Sequence, residues 1–527
     1  MGILIDSTTA EFLIASLLIF WLTYLYFVKD YGYWEDRNVP HVPPEFPFGS
    51  IKRHILGCSY LGDSFDGIYK HFKDERFVGI FMIRNPAVLV RDPELVRMVL
   101  QKDFYHFTDH YSFKTNPKDY LMNHLYALKG QEWKAMRMKL SPAYTAVKIK
   151  TMFFLVKECS YILREVVGKL IDQSNSLDVK DVLSRFTTDV IASCAFGIES
   201  NSLSNKESKF YQLGLKSMNR DFLMLLKLFL YISFPVFEKY HCFNFMDRSI
   251  VEFFTAAVRS TVEYREKNNV SRLDFLDLLI KLRQNQSILE EGERLPDFSG
   301  SSRSEIKEGL TIEEITAETY LFFTAGFETT SNTTMFCLYE LACNVRIQDQ
   351  LYWEVEEVLD RHEGNISYQA LQEMTYLDQV INETLRRYPP FPYLSRCCSK
   401  DYVVPDSTLT IKKGQEVIIP LYSFHHDTKY FPDPYSFDPE RFSPKKHKTW
   451  HPYAYLPFGE GPRMCIGQKF GLMNVKTALA TLIADYQISL TPETEVPLKL
   501  KNDSFTTVPS TPLLLIFTRR KENVNAT

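Results

Sequence analysis

The chain has 527 residues, of which 24% are charged and 45% are hydrophobic, and its formal net charge is −4. This balance excludes a strongly basic nucleic-acid-binding protein and a highly charged disordered chain, and it predicts a folded body. The nine cysteines are odd in number and scattered along the chain, unlike a secreted disulfide framework, so we expect the body to face a reducing compartment.

The N-terminal region carries an almost unbroken apolar run from Phe12 to Val28, close to the shortest length that spans a bilayer as a helix. No Lys or Arg precedes this run, whereas Lys29 and Arg37 follow it, so the positive-inside rule predicts a lumenal N-terminus and a cytosolic body. A cleaved signal peptide is the alternative, but the basic n-region and the small-residue cleavage site of such peptides are missing. We therefore predict a membrane anchor over residues 1–30.

The segment after the anchor contains four prolines between Pro40 and Pro47, which disfavour helix and predict an extended hinge over residues 31–50. From residue 51 to 527, helix-period segments predominate and short strand-like pieces such as FVGIFMIRNPAVLV intervene. This pattern predicts one mainly α domain with a small β portion. A polar stretch from Asp297 to Arg303 predicts an exposed loop before a long helix that starts near Thr311.

Two helix-compatible segments carry polar residues one turn apart. Trp133 and Arg137 lie four residues apart and share a helical face. Glu383 and Arg386 lie three apart, and on its own such a pair is usually an exposed ion pair of small value.

A third helix-compatible segment, LFFTAGFETTSNTT from Leu321 to Thr334, combines small residues with an acid and hydroxyls. Thr329 lies one turn beyond Ala325, next to Glu328, and Gly326 adds a second small residue. The simplest interpretation is that Thr329 bonds to a carbonyl of its own helix and that Glu328 is a solvated charge.

The segment FGEGPRMCIG, from Phe458 to Gly467, surrounds Cys465 with glycines, a proline and an arginine, and it leads into a helix-compatible stretch. A cysteine at a helix N-terminus meets unpaired backbone N–H groups and the positive end of the helix dipole, which favour the thiolate. A buried structural cysteine is the alternative interpretation.

This string resembles the cysteine-loop signature of cytochromes P450, F-x-x-G-x-R-x-C-x-G, at every fixed position. The resemblance implies the cytochrome P450 fold preceded by one transmembrane helix, with residues 51–527 as a cytosolic haem-thiolate catalytic domain. It also implies haem b as the cofactor, with the Cys465 thiolate as axial ligand. A thiolate ligand pushes electron density onto haem iron and promotes O–O cleavage.

Other parts of the chain resemble the same family. The resemblance implies that Arg441 in FDPERF completes a buried structural network with Glu383 and Arg386. Glu328 and Thr329 are implied as catalytic residues that relay protons to bound oxygen. Further cofactor-binding residues are implied at Trp133, Arg137, Arg396, Arg463, Phe458, Ala325 and Gly326. The chain departs from the family at His110, where many relatives place an arginine.

The resemblance is strongest to microsomal, insect xenobiotic-metabolising members of family 6 type, through strings such as LSPAYTAVKIKTMF and FFTAGFETT. It implies hydroxylation or epoxidation of lipophilic small molecules with O2, in xenobiotic or endogenous hormone and lipid metabolism, at the endoplasmic reticulum membrane. An aromatic substrate pocket is implied at the segments 107–126 and 222–237 and at Phe322, Phe323, Phe391, Tyr393 and Phe505.

Electrons must come from a partner, because no dinucleotide motif or flavin domain is evident in the sequence. NADPH–cytochrome P450 reductase is the implied donor, with cytochrome b5 as a further candidate. A basic surface for this partner is expected at Lys134, Lys139, Lys445, Lys446 and Lys448. Two other functions remain open: isomerisation or dehydration of a peroxide by the same cofactor, and membrane-tethered haem or lipid binding without turnover.

Overall fold

The computed structural model describes residues 7–112, 114–219, 222–286, 288, 309–446 and 449–520. It confirms the prediction of a mainly α fold with a small β portion. The predicted loop at 297–303 and Lys448 lie outside the described residues.

The helices are α1 (Ser7–Val28), α2 (Lys52–Ile55), α3 (Leu61–His71), α4 (Pro93–Arg97), α5 (Gly130–Leu140), α6 (Ala146–Ile171), α7 (Val179–Ile191), α8 (Lys209–Met218), α9 (Phe222–Ser233), α10 (Pro235–Lys239), α11 (Arg248–Asn268), α12 (Phe275–Arg283), α13 (Ile312–Cys343), α14 (Val345–Arg361), α15 (Tyr368–Glu373), α16 (Thr375–Arg387), α17 (Leu421–His425) and α18 (Gln468–Asp485). The strands are β1 (Phe77–Met82), β2 (Asn85–Val90), β3 (Leu177–Asp178), β4 (Leu394–Cys397), β5 (Tyr402–Val403), β6 (Thr410–Ile411), β7 (Glu416–Ile419), β8 (Tyr486–Leu490) and β9 (Leu514–Arg519).

Helix α1 lies at the predicted anchor and starts five residues before the apolar run. Its portion Thr8–Val28 is long and apolar enough to cross a membrane, and apolar side chains such as Phe12 and Leu17 are exposed along it. An exposed apolar helix of this length suits lipid better than water.

The chain folds into two compact units. The first unit comprises Met1–Ser112, Tyr393–Ser423 and Asn502–Ser504. It contains a four-stranded sheet in the order β1-β2-β7-β4, in which β2 and β7 are parallel and the other pairs are antiparallel, and the two-stranded sheet β5-β6. The strand-like sequence FVGIFMIRNPAVLV forms the β1-β2 hairpin of this unit.

The second unit comprises Phe113–Pro392, Phe424–Lys501 and Phe505–Thr527. It contains most of the long helices and a three-stranded antiparallel sheet in the order β3-β9-β8. Helix α13 runs through its core, and apolar and polar side chains on all sides of this helix are buried. A helix that is buried on all sides is a central core element rather than an amphipathic surface helix.

The start of α13 is fixed by a capping box. The backbone N–H of Glu314 donates to the Thr311 hydroxyl at 3.1 Å, and the Thr311 backbone N–H donates to the Glu314 carboxylate at 2.8 Å. These two bonds satisfy donors that a helix terminus otherwise leaves without partners. The predicted helix start near Thr311 is confirmed.

Candidate active site

The cysteine loop folds as a tight turn in front of α18. Gly459 and Gly461 adopt positive φ angles of 70° and 74°, a region that side chains disfavour. The backbone N–H of Cys465 donates to the Phe458 carbonyl at 2.9 Å, and Gly467 is the N-cap of α18. The sequence therefore folds so that the Cys465 thiol is presented at a helix N-terminus.

The Cys465 thiol is accessible, yet the protein around it is dense enough to raise its pKa. The accessibility of the thiol and its raised pKa are both explained if the thiol faces an internal space rather than the outer surface of the protein. Burial is the largest influence on this pKa, and it outweighs the Gly467 N–H and the positive charge of Arg137, which lower it. The expected thiolate-favouring groups are present, but the net effect in the protein alone is opposite to the expectation. Binding a metal ion deprotonates a thiol that coordinates it.

Two cationic side chains support the cysteine loop. Arg463 is buried and donates to the carbonyls of Leu125 at 3.1 Å and Leu128 at 2.7 Å, and its guanidinium lies 4.1 Å from the ring centroid of Trp133. Arg137, one turn after Trp133 on α5, donates to the Met464 carbonyl at 3.0 Å. The structure thus brings together Trp133, Arg137, Arg463 and the cysteine loop.

Two buried nitrogen atoms near this loop have no hydrogen-bond partner among the described residues. They are Nε of Arg137 and Nδ1 of His124. Burial lowers the pKa of His124 to about 4. Buried polar atoms in proteins are nearly always satisfied, so such atoms indicate a missing partner. A cofactor that carries carboxylates would satisfy the arginine, and an accessible thiol would bind its iron. The donor set therefore fits a haem.

Arg396 belongs to the first unit, where it lies on β4 and is almost fully buried. Its Nη1 lies 3.2 Å from Nδ1 of His110 and donates to the Ser395 carbonyl at 2.8 Å. His110, the residue at which the chain departs from the family pattern, is thus a direct neighbour of a predicted propionate-binding arginine.

The middle of α13 is shaped by hydroxyl groups. Thr329 donates to the Ala325 carbonyl at 2.6 Å, and Thr187 of α7 donates to the Phe327 carbonyl at 3.0 Å. Ala325 is exposed, whereas a Cβ atom on Gly326 would come within 3.0 Å of Ile191 on α7. The two small residues therefore differ: Ala325 leaves accessible space, and Gly326 permits close packing of α7.

Lys180 is a half-buried cation beside this part of α13 that gave no signal in the sequence. It donates to Oγ of Ser331 at 3.0 Å and to Oδ1 of Asn332. Burial lowers the pKa of Lys180 to about 8, and the negative charge of Glu328 opposes that shift. Ser331 and Asn332 lie three and four residues beyond Glu328, on the same helical face. The position of Lys180 near the start of α7 did not indicate a contact with α13, which lies far along the chain.

The structure brings Glu383, Arg386 and Arg441 together. Glu383 and Arg386 are fully buried and form two bonds of 2.8 Å, and Arg441 lies 3.4 Å from the same carboxylate. Arg386 also donates to the carbonyls of His425 and Pro434 at 2.8 and 2.7 Å. Every charge in this cluster thus has a close partner, as buried charges require.

His425 connects this network to the cysteine loop. Its role, like that of Lys180, was not predicted from the sequence. Its Nδ1 lies 3.2 Å from the Arg386 carbonyl, and its Nε2 accepts from the Leu456 N–H at 3.1 Å. Burial and the adjacent arginine lower the pKa of His425 to about 3, so the ring is neutral, with the proton on Nδ1. Leu456 precedes Phe458 by two residues, which connects the Glu383 network to the start of the loop.

The predicted pocket aromatics occupy different environments. Phe322 and Phe323 are buried in aromatic clusters, with ring centroids 4.9 Å from Phe470 and 5.0 Å from Phe254. Phe222 and Leu223, at the start of α9, are 80% and 56% exposed. Phe322 and Phe323 therefore serve core packing, and the first turn of α9 presents an apolar surface.

Comparison with known proteins identifies a family. Residues 43–516 match the family model "Cytochrome P450". The chain is 38% identical to probable cytochrome P450 6a14 of Drosophila melanogaster over 92% of this chain and 94% of the relative. It is 39% identical to cytochrome P450 6A1 of Musca domestica over 96% and 97%, and 34% identical to cytochrome P450 6k1 of Blattella germanica over 97% of each chain.

Proposed function

Because this chain belongs to the cytochrome P450 family and is a P450 monooxygenase, we propose that it inserts one atom of O2 into lipophilic small molecules by hydroxylation or epoxidation, with Cys465 as the thiolate ligand of haem b. Its insect relatives of family 6 are consistent with xenobiotic metabolism. The accessible Cys465 thiol, at the N-terminus of α18 and next to Arg137, is the observation that carries the proposal.

When bound, the haem supplies the iron at which O2 is activated, and a thiolate ligand promotes cleavage of the O–O bond. Trp133, Arg137 and Arg463 would hold the haem carboxylates, because indole and guanidinium N–H groups are donors suited to such anions. For Arg396, the same role stays a prediction from the family resemblance. Phe458 and the Gly467 N–H would fix the direction of the thiolate.

Glu328 and Thr329 are proposed to deliver protons in the reaction. In this role the Thr329 hydroxyl would turn from the Ala325 carbonyl toward the accessible space above Ala325, and the adjacent Glu328 carboxylate would relay protons to it. Lys180 donates a hydrogen bond to Ser331, on the face of α13 just beyond Glu328. Glu383, Arg386 and Arg441 keep a structural role.

We further propose that α1 anchors the protein in the endoplasmic reticulum membrane, with a lumenal N-terminus, residues 31–50 as the hinge, and a cytosolic catalytic domain from residue 51. The family requires a redox partner and O2. NADPH–cytochrome P450 reductase is proposed as the electron donor, with cytochrome b5 as a second donor, and the exposed Lys445 and Lys446 suit an acidic partner.

The proposal is tested with the full-length protein reconstituted with reductase and lipid. Lipophilic compounds are screened by the shift in haem spin state, and each binder is incubated with NADPH. The proposed function requires oxygenated product that depends on NADPH and reductase. Isomerisation or dehydration of a peroxide substrate without O2, NADPH or reductase, with no oxygenated product from any binder, would contradict it.

A further inference from the structure

Leu125 lies between the central helix and the cysteine loop, and each of its backbone polar groups bonds to one of them. Its N–H donates to the carboxyl group of Glu318 on α13 at 2.8 Å, and its carbonyl accepts from Arg463 at 3.1 Å. Arg463 precedes Cys465 by two residues. The backbone of one residue therefore connects α13 to the loop that carries the ligand.

The same short segment also accepts a hydrogen bond from the second terminal nitrogen of the Arg463 guanidinium. Nη2 donates to the Leu128 carbonyl at 2.7 Å, and the His124 carbonyl accepts from the N–H groups of Ala127 and Leu128 at 2.9 and 3.0 Å. Residues 124–128 thus form a turn that is closed on itself and held by Arg463. On the side of α13, this turn is held by the bond that the Leu125 N–H donates to Glu318.

Glu318 occupies an environment that disfavours a charge. Its residue surface is only 2% exposed, and burial raises the pKa of its carboxyl group to about 8. Glu314, one turn earlier on α13, adds to this increase, and the Leu125 N–H opposes it. Tyr144, after α5, interacts with Glu318 and also with Cys465 and Arg137. A buried acid in such a place is costly unless it makes a specific bond.

We propose that Glu318 is a positioning residue for the cofactor site: its carboxyl group fixes the backbone of Leu125, which in turn fixes the guanidinium of Arg463. The inference rests on the proposed function, which assigns Arg463 to the cofactor carboxylates. Glu318 itself touches neither the cofactor ligand nor substrate in this arrangement. Its effect reaches the site through one backbone unit.

The pH dependence follows from the direction of the pKa shift. Glu318 is mainly protonated below pH 8 and ionises as the pH rises through about 8. The Leu125 N–H stabilises the ionised form, but burial and the charge of Glu314 disfavour it. A state in which Glu318 reaches water and gives up the Leu125 bond therefore gains population as the pH rises toward 8. The segment 124–128 is expected to loosen progressively up to about pH 8 and to change little above it.

The experiment uses full-length haem-loaded protein and the variants Glu318→Gln and Glu318→Leu. Gln keeps an acceptor for the Leu125 N–H without an ionisable group, whereas Leu removes the acceptor. Glu313→Leu, at an exposed position on the same helix, is the matched control. Two quantities are measured from pH 6.5 to 9: amide hydrogen exchange in peptides that cover residues 121–128, and the rate of haem transfer to apomyoglobin.

At pH 6.5, Glu318→Leu should exchange roughly tenfold faster in this peptide, the size expected for one lost hydrogen bond, and should release haem several-fold faster. Glu318→Gln and Glu313→Leu should match the unsubstituted protein. Between pH 6.5 and about 8, haem release should accelerate in the unsubstituted protein and then level off, whereas it should stay flat in Glu318→Gln. If Glu318→Leu does not fold, the comparison of the two pH profiles still decides the matter.

Unchanged exchange at 121–128 in folded Glu318→Leu, or equal pH profiles of the unsubstituted protein and Glu318→Gln, would overturn the inference. Its failure is distinct from failure of the proposed function. A protein that binds haem without a thiolate ligand contradicts the proposed function, whereas a haem-thiolate protein that is insensitive to Glu318 contradicts only the positioning role.

Discussion

The hydroxyl group of Thr329 donates to the carbonyl oxygen of Ala325 at 2.6 Å, one turn earlier on the same helix. This bond occupies the only proton that the hydroxyl can donate, while its lone pairs remain available as acceptors. Delivery of a proton by Thr329 therefore requires its side chain to exchange this bond for one toward the accessible side of Ala325.

Substitution Thr329→Ala should uncouple NADPH oxidation from product formation, since it removes the hydroxyl that we propose passes protons. We expect the fraction of NADPH electrons recovered as hydrogen peroxide to increase several-fold, with little change in substrate affinity. Thr329→Ser should restore coupling. Thr316→Ala, which removes the same type of bond to Ile312 elsewhere on α13, serves as control. If NADPH oxidation stays coupled to product formation in Thr329→Ala, the proposed proton delivery by Thr329 is wrong.

Loss of Arg386 should strongly destabilise the second unit. Glu383 and Arg386 are fully buried, so Arg386→Ala removes the two short bonds to the Glu383 carboxylate and leaves it with the longer contact to Arg441, at a cost of about 3–5 kcal/mol. Arg441→Ala should cost less, because its side chain is 11% exposed and its contact is longer, at 3.4 Å. Arg248→Ala, which breaks a pair between exposed side chains, should change little. Denaturant unfolding of the three variants measures this order, and a reversed order would contradict the structural role.

The turn of the cysteine loop and the start of α13 were predictable, because each depends on neighbouring residues, whereas the burial of the Glu383–Arg386 pair was expected only from the family resemblance. His425 was not predictable, since it contacts Arg386 across 39 residues and Leu456 across 31. The local groups that favour the Cys465 thiolate were predictable from sequence, whereas the burial that outweighs them depends on the whole fold. The assignment of Phe322 and Phe323 to the pocket came from family analogy and stays a prediction; in the fold both rings lie in buried aromatic clusters.

Charge reversal on the proposed partner surface should slow electron delivery more than it changes substrate binding. Lys445→Glu with Lys446→Glu removes two exposed positive charges and adds two negative ones, and Lys134→Glu with Lys139→Glu tests the half-buried pair on α5. The rate of haem reduction by reductase should fall several-fold at low salt, and the difference should shrink as salt rises. Lys209→Glu, at an exposed position on α8, is the control. Equal effects on haem reduction and on substrate binding would contradict the assignment of these lysines to a partner-binding surface.

Deletion of residues 2–28 should release the protein from carbonate-washed membranes, because α1 is the helix that is long and apolar enough to cross a bilayer among the residues described. A chain in which the α1 sequence is shuffled should stay in the membrane, since insertion depends on composition and length. A deletion variant that remains in the membrane pellet to the same extent would contradict the anchor.

The ligand assignment is tested most directly by the carbon monoxide difference spectrum of the reduced full-length protein and of its Cys465→Ser variant. The unsubstituted protein should give the thiolate-type spectrum, and Cys465→Ser should lose that spectrum while it remains folded and membrane-bound. A thiolate-type spectrum that persists in Cys465→Ser would contradict the assignment of Cys465 as the iron ligand.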